Sequence, residues 1–217
     1  MSARYTLILG TKEWSSWSLR PYIALRHTGI AFAEELVSLR RDTTSSEILK
    51  FSLAGRVPAL RIEEDGAAYS VWDSMAICGT LAERHPDAKL WPDDPRTRAT
   101  ARAYAAEMHS GFSDLREQLP MDFVLRLPLP ALCDASRAQI ARVIDAWSEA
   151  LAGNPGGFLF GRFSIADCMY PPVVSRFVTY GVEVPAGPRS YMERMMALPA
   201  MRDWERASQV EVDTGLA

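Results

Sequence analysis

Cysteine is scarce in this chain: Cys78, Cys133 and Cys168 are the only three in 217 residues, far apart and without CxxC spacing. An odd, scattered set excludes a disulfide framework and a zinc site and fits reduced thiols. A basic excess is also missing, since 24 Lys+Arg stand against 27 Asp+Glu for a net charge of −3. That removes the electrostatic drive for nucleic-acid binding. Lysine itself is nearly absent; only Lys12, Lys50 and Lys89 carry it, which reads as genomic bias more than function. No apolar run approaches the ~18 residues of a membrane span, and the opening MSARYTLILGTKEW lacks a signal peptide's apolar core. The expectation is a cytoplasmic protein. What is present, 48% hydrophobic and 24% charged residues, is a globular composition, long enough for one or two domains.

The pattern changes near residue 86. Tyr5 to Leu9 is a short β-branched and aromatic run before Gly10, which suits a buried strand. Ser18 to His27 reads as a helix with Ser18 as N-cap, Pro21 in its first turn and Gly29 as its stop. A strand over 32–39 and a short helix over 45–52 follow. Val57 to Ile62 and Ala67 to Val71 then form strands around an Asp65-Gly66 hairpin turn, and Ser74 to His85 is helical up to Pro86. This order predicts a mixed sheet with helices on both faces.

Beyond Pro86 the strand signals stop. Residues 87–95 (DAKLWPDDP) read as a linker. Apolar positions from Ala101 through Phe112 to Leu119 recur every three or four residues and predict one long helix over 96–119, opened by Asp94 and Pro95. Residues 132–151 predict another helix, GNPGG at 153–157 a loop, and Ser164 to Asp167 a capping-box start whose helix Pro171-Pro172 must kink or delay. Short helices over 189–197 and 199–209 complete the pattern. The fold class is α/β followed by all-α, with domains over 1–86 and 92–217.

Three groups of residues in the first domain suit chemistry. In Trp14-Ser15-Ser16-Trp17-Ser18, hydroxyls at a helix N-terminus can hold an anion, although capping alone also explains serine there. In Arg56-Val57-Pro58, a proline entering a strand cannot donate to the ladder; if its bond is cis, Val57's main chain is left open to a peptide-like ligand. In Trp72-Asp73-Ser74, a serine at a helix start can take a carboxylate while Asp73 holds an ammonium, the two ends of an amino acid; a plain N-cap is the bland alternative.

As an ordered set these motifs resemble the cytosolic glutathione transferase family, and within it bacterial proteins related to the zeta class. SSWSLRP, VPAL and the acidic-Ser pair resemble its thioredoxin-like domain, and Ser164 to Asp167 the N-cap motif of its helical domain. The resemblance implies glutathione as co-substrate, no metal, a homodimer, and no nucleic-acid or membrane partner. It implies that Ser15 stabilises the glutathione thiolate, or Ser16 if the register is set on Arg20. Val57 and Pro58 then hold the cysteinyl backbone, Asp73 and Ser74 the γ-glutamyl end, Thr43 the glycyl end, and Arg56 supplements the anion site or is simply solvated. A small hydrophobic electrophile would meet Trp14, Trp17, Met108, His109 and Phe112, although Met108 and Phe112 at this spacing more often belong to a core. Zeta proteins begin this loop Ser-Ser-Cys; here Trp17 replaces the cysteine. The expectation is therefore a conjugating glutathione transferase. The alternatives are a maleylacetoacetate-type cis–trans isomerase and a non-catalytic binding scaffold.

Overall fold

The computed structural model describes residues 3–154 and 157–217; Pro155 and Gly156 of the expected 153–157 loop lie outside them. The chain begins with β1 (Arg4–Gly10), α1 (Ser16–Thr28), β2 (Ala33–Val37), α2 (Thr44–Leu49), β3 (Ala59–Glu64), β4 (Ala67–Trp72) and α3 (Ser74–Arg84). The four strands lie in the order β2-β1-β3-β4. β1 pairs parallel with β2 and antiparallel with β3, which pairs antiparallel with β4.

The period-2 alternation of β1 explains why both faces are covered. Tyr5, Leu7 and Leu9 enter the main core with α1 and α3, while Ile8 points the other way onto Val37 and Ile48. Leu7, Ile8 and Leu9 are wholly buried, each contributing about 1.5–3 kcal/mol. The β3–β4 turn is made as its sequence requires, with Asp65 and Gly66 at φ 49° and 80°.

Helices follow: α4 (Pro95–Ser110), α5 (Ser113–Gln118), α6 (Asp134–Ala152), α7 (Ile165–Met169), α8 (Pro171–Thr179), α9 (Ala186–Met196) and α10 (Pro199–Asp213). Asp94 caps α4 as its sequence suggests, accepting from the Thr97 amide at 2.7 Å. The single helix expected over 96–119 is instead two. Phe112 takes φ 61° between them, and a Cβ on Gly111 would lie 2.9 Å from the Glu107 carbonyl. The apolar stripe survives the break because Leu115 and Leu119 remain buried.

The helix after Ser164 is likewise split at Tyr170, ahead of Pro171-Pro172. α1 starts at Ser16, two residues before the expected cap, so Pro21 falls in its second turn and has no N–H for Trp17's carbonyl. One hydrophobic core runs from the sheet through α1 into α6–α10, so the two halves share an interior.

Candidate functional site

The loop between β1 and α1 is tied down from three sides. Trp204 of α10 donates its indole N–H to the Lys12 carbonyl at 2.9 Å, Glu211 accepts from the Glu13 amide at 3.0 Å, and Thr11 accepts from the Leu39 amide at 2.9 Å. Glu13's own carboxylate accepts from the Val124 amide at 3.1 and 3.2 Å. Burial, with Asp122 and Glu211 nearby, pushes this carboxyl up to about 7, against the Val124 amide and Arg126. The folded protein therefore holds a proton that the unfolded chain releases near 4.5. Stability from this group is complete below pH 4.5 and is lost as pH rises through about 7. Glu13→Gln should flatten that slope. Urea midpoints compared at pH 5 and pH 8 read the effect, and an unchanged slope would discard it.

Behind this loop a cleft of about 300 Å³ opens between the sheet domain and α4, walled by Trp17, Ala54, Arg56, Val57, Pro58, Trp72, Asp73, Ser74 and His109. Val57-Pro58 is a cis peptide. Val57 precedes β3, and its main chain has no hydrogen-bond partner among the described residues. Asp73 caps α3 through the Met75 amide at 2.8 Å and holds φ 76° with ψ 133°, a positive-φ conformation outside the αL well that side-chain-bearing residues rarely adopt. Its second carboxylate oxygen lies 3.2 Å from His109 Nε2, a link across the cleft to α4. Burial and the Arg20 and Arg116 charges keep the His109 pKa below its ordinary value, outweighing Asp73. Ser74 is buried, and its hydroxyl has no partner among the described residues.

The remaining expected residues fall elsewhere. Ser15 and Ser16 begin α1 next to Trp17, both buried, but do not wall the cleft. Thr43 is an exposed residue heading α2, and Trp14 is covered by the Arg40 guanidinium at 4.0 Å. Met108 and Phe112, expected against the second substrate, are buried in the core with Leu115. Cys78 and Cys168 are buried too, and burial raises the Cys78 thiol to about 12.

Sequence reasoning did not anticipate a cluster of arginines packed around Trp17, outside the cleft lining itself. Arg20 is fully buried, and none of its three guanidinium nitrogens has a partner among the described residues. It stacks on the Trp17 ring at 4.0 Å, and Arg116 lies 5.2 Å from the same ring. Burial and the nearby Arg176 and Arg116 charges pull Arg20 down to about 9. Arg176 spends its own donors on the Leu119 and Pro172 carbonyls at 2.7 and 3.2 Å. α1 is buried on every side from Ser18 to Leu25, so helical spacing carried no signal that singled out Arg20.

The family profile for the glutathione S-transferase N-terminal domain matches residues 14–84, and that for the C-terminal domain residues 130–207. The chain belongs to the glutathione S-transferase family. Among its zeta-like relatives, the maleylacetoacetate isomerase of Pseudomonas aeruginosa is 28% identical over 207 residues, covering 90% of this chain and 93% of that protein. A Burkholderia glutathione transferase homolog solved with bound glutathione superposes with a TM-score of 0.71 at 26% identity, over 95% of this chain and 99% of that one. The maleylacetoacetate isomerase of Anaeromyxobacter dehalogenans, with glutathione in its active site, gives 0.69 at 28% identity, over 96% and 98%.

Proposed function

We propose that the protein binds glutathione in the Val57–Ser74 cleft and uses it to interconvert the cis and trans forms of an unsaturated diketo dicarboxylate of the maleylacetoacetate type. The relatives' names favour this reading over general conjugation, which the loop sequence alone suggested. The observation that carries it is Arg20. A buried guanidinium without a partner costs several kcal/mol, and a substrate carboxylate supplies the missing charge. Reaching it requires the Trp17 ring, stacked against Arg20, to turn aside.

The residues present suit glutathione. Val57's open main chain pairs with a peptide backbone, and the orphan Ser74 hydroxyl at the start of α3 suits the γ-glutamyl carboxylate. Asp73, already engaged by the Met75 amide and His109, keeps lone pairs for the ammonium, and Arg56 stands at the cleft wall. Bound glutathione supplies a nucleophilic sulfur that adds to the conjugated double bond and leaves after rotation. The chain's part is to hold that sulfur ionised with Ser15 or Ser16. A free thiol has a pKa near ~8.5, and each unit of lowering takes about 1.4 kcal/mol. One hydroxyl donor and the α1 N-terminus supply roughly one to two units.

Conjugation to hydrophobic electrophiles is the second reading, favoured by the Trp17 and Trp72 rings on the cleft wall. With either reading we infer a homodimer. The test is to supply glutathione with the cis dicarboxylate or with an aromatic chloronitro electrophile. Isomer turnover should dominate, and replacing Ser15 and Ser16 together by alanine should lower it about 10–100-fold. Conjugation without isomerisation selects the second reading; failure to retain the protein on immobilised glutathione rejects both.

A further inference from the structure

Ser18 is fully buried one helical turn beyond Ser15, and the two hydroxyl oxygens lie 2.7 Å apart. The Gly10 amide donates to the Ser18 hydroxyl at 3.2 Å. Only one hydroxyl proton can occupy the line between two oxygens. If Ser15's proton lies there, the buried Ser18 proton has no other acceptor among the described residues. If Ser18's proton lies there, Ser18 both accepts and donates, and Ser15's proton is free for an acceptor outside the pair. Ser15 keeps 5% exposure and Ser18 none, so the second arrangement leaves the unpaired proton on the hydroxyl nearer the surface and is the one favoured.

From this we propose that Ser18 is a positioning residue: it receives the Gly10 N–H, donates to Ser15, and so turns Ser15's hydroxyl proton outward toward the sulfur of bound glutathione. The proposal rests on the glutathione reading above and selects Ser15 over Ser16 as the donor. A chain of donors pointing one way polarises each member, which strengthens the last hydrogen bond where negative charge resides. The backbone holds the pair in register, because the Ser15 carbonyl accepts from the Ser18 and Leu19 amides, both at 3.2 Å.

The test titrates the thiolate of bound glutathione by its ultraviolet absorbance in the wild-type protein, Ser18→Ala, Ser15→Ala and the double variant. Ser18→Ala should raise the bound thiol's pKa by about one unit, a tenfold loss of thiolate, with kcat falling and the glutathione KM within twofold of wild type. Ser18→Cys, nearly equal in volume and a weak donor, should shift the same way and guards against a folding defect in the alanine variant. In the Ser15→Ala background, removing Ser18 should add nothing. A normal thiolate pKa in both Ser18 variants, or additive losses in the double variant, overturns the proposal. If the wild-type protein itself lowers no thiol pKa, the glutathione reading fails first.

Discussion

Replacing Asp167 by alanine should destabilise the protein by about 3–5 kcal/mol and lower its melting temperature by roughly 10 °C. Asp167 is completely buried and serves four donors. One oxygen accepts from the Leu159 amide at 3.1 Å and the Tyr191 hydroxyl at 3.2 Å; the other accepts from the Ser164 amide at 2.9 Å and the Ser164 hydroxyl at 3.1 Å. Removing the carboxylate strands all four, at about 1–3 kcal/mol each before relaxation and water entry. The site cannot drain the loss into solvent, because Tyr191 packs on Trp147, the wholly buried centre of the helical core. Asparagine does not rescue it: with two donors already facing each oxygen, its NH2 meets donors on whichever side it takes. Burial pushes the Asp167 carboxyl up to about 6, and these same donors hold its ionised form against that push. Denaturant midpoints of the Ala and Asn variants measure the loss, and a cost under about 1 kcal/mol would show that water replaces the carboxylate.

The capping box around Asp167 was legible because its chemistry is local: Ser164 and Asp167 three apart can satisfy one another whatever surrounds them. The same holds for Asp94-Pro95 ahead of α4 and Asp65-Gly66 between β3 and β4. The break at Gly111 and Phe112 was not legible, since the apolar period continues through it and only the backbone changes hand. The start of α1 was ambiguous for another reason. Ser15, Ser16 and Ser18 can each head a helix, and contacts from Gly10 decide their roles.

At the site, Trp17, Arg56, Val57, Pro58, Asp73, Ser74 and His109 converge on one cleft although they come from four segments of chain. Met108 and Phe112 went to the core, the place such helical spacing more often serves. Arg20 escaped notice because a guanidinium is normally assigned to solvent. Its burial is a tertiary fact, set by α1 packing against α3, α7 and α8.

That burial makes Arg20→Met the variant in which stability and function should part company. Replacing even a buried ion pair by apolar chains of similar volume is often neutral or stabilising by about 1–4 kcal/mol, and a charge with no partner has no pairing energy to lose. The change here also loses a cation–π contact with Trp17, worth up to about 2 kcal/mol, and regains part of it as a sulfur–aromatic contact. The net expectation is a gain of about 1–2 kcal/mol in the free protein, read as a rise of roughly 4 °C in melting temperature.

Under the dicarboxylate reading the same change should cut kcat/KM for the cis isomer about 100-fold, because one charge-assisted contact is worth about 1.5–3 kcal/mol. Conjugation of an uncharged aromatic electrophile should move less than threefold. Added dicarboxylate should raise the melting temperature of the wild-type protein but not of the variant, since only the former binds it. A variant that is less stable than wild type would mean that Arg20 is paid for within the fold, by ordered water or by Asp73, and the charge would then owe nothing to a substrate. A variant that is more stable yet equally active would leave the buried arginine without a purpose in the chemistry. Only gain of stability together with selective loss of dicarboxylate turnover fits a guanidinium held unpartnered for a ligand.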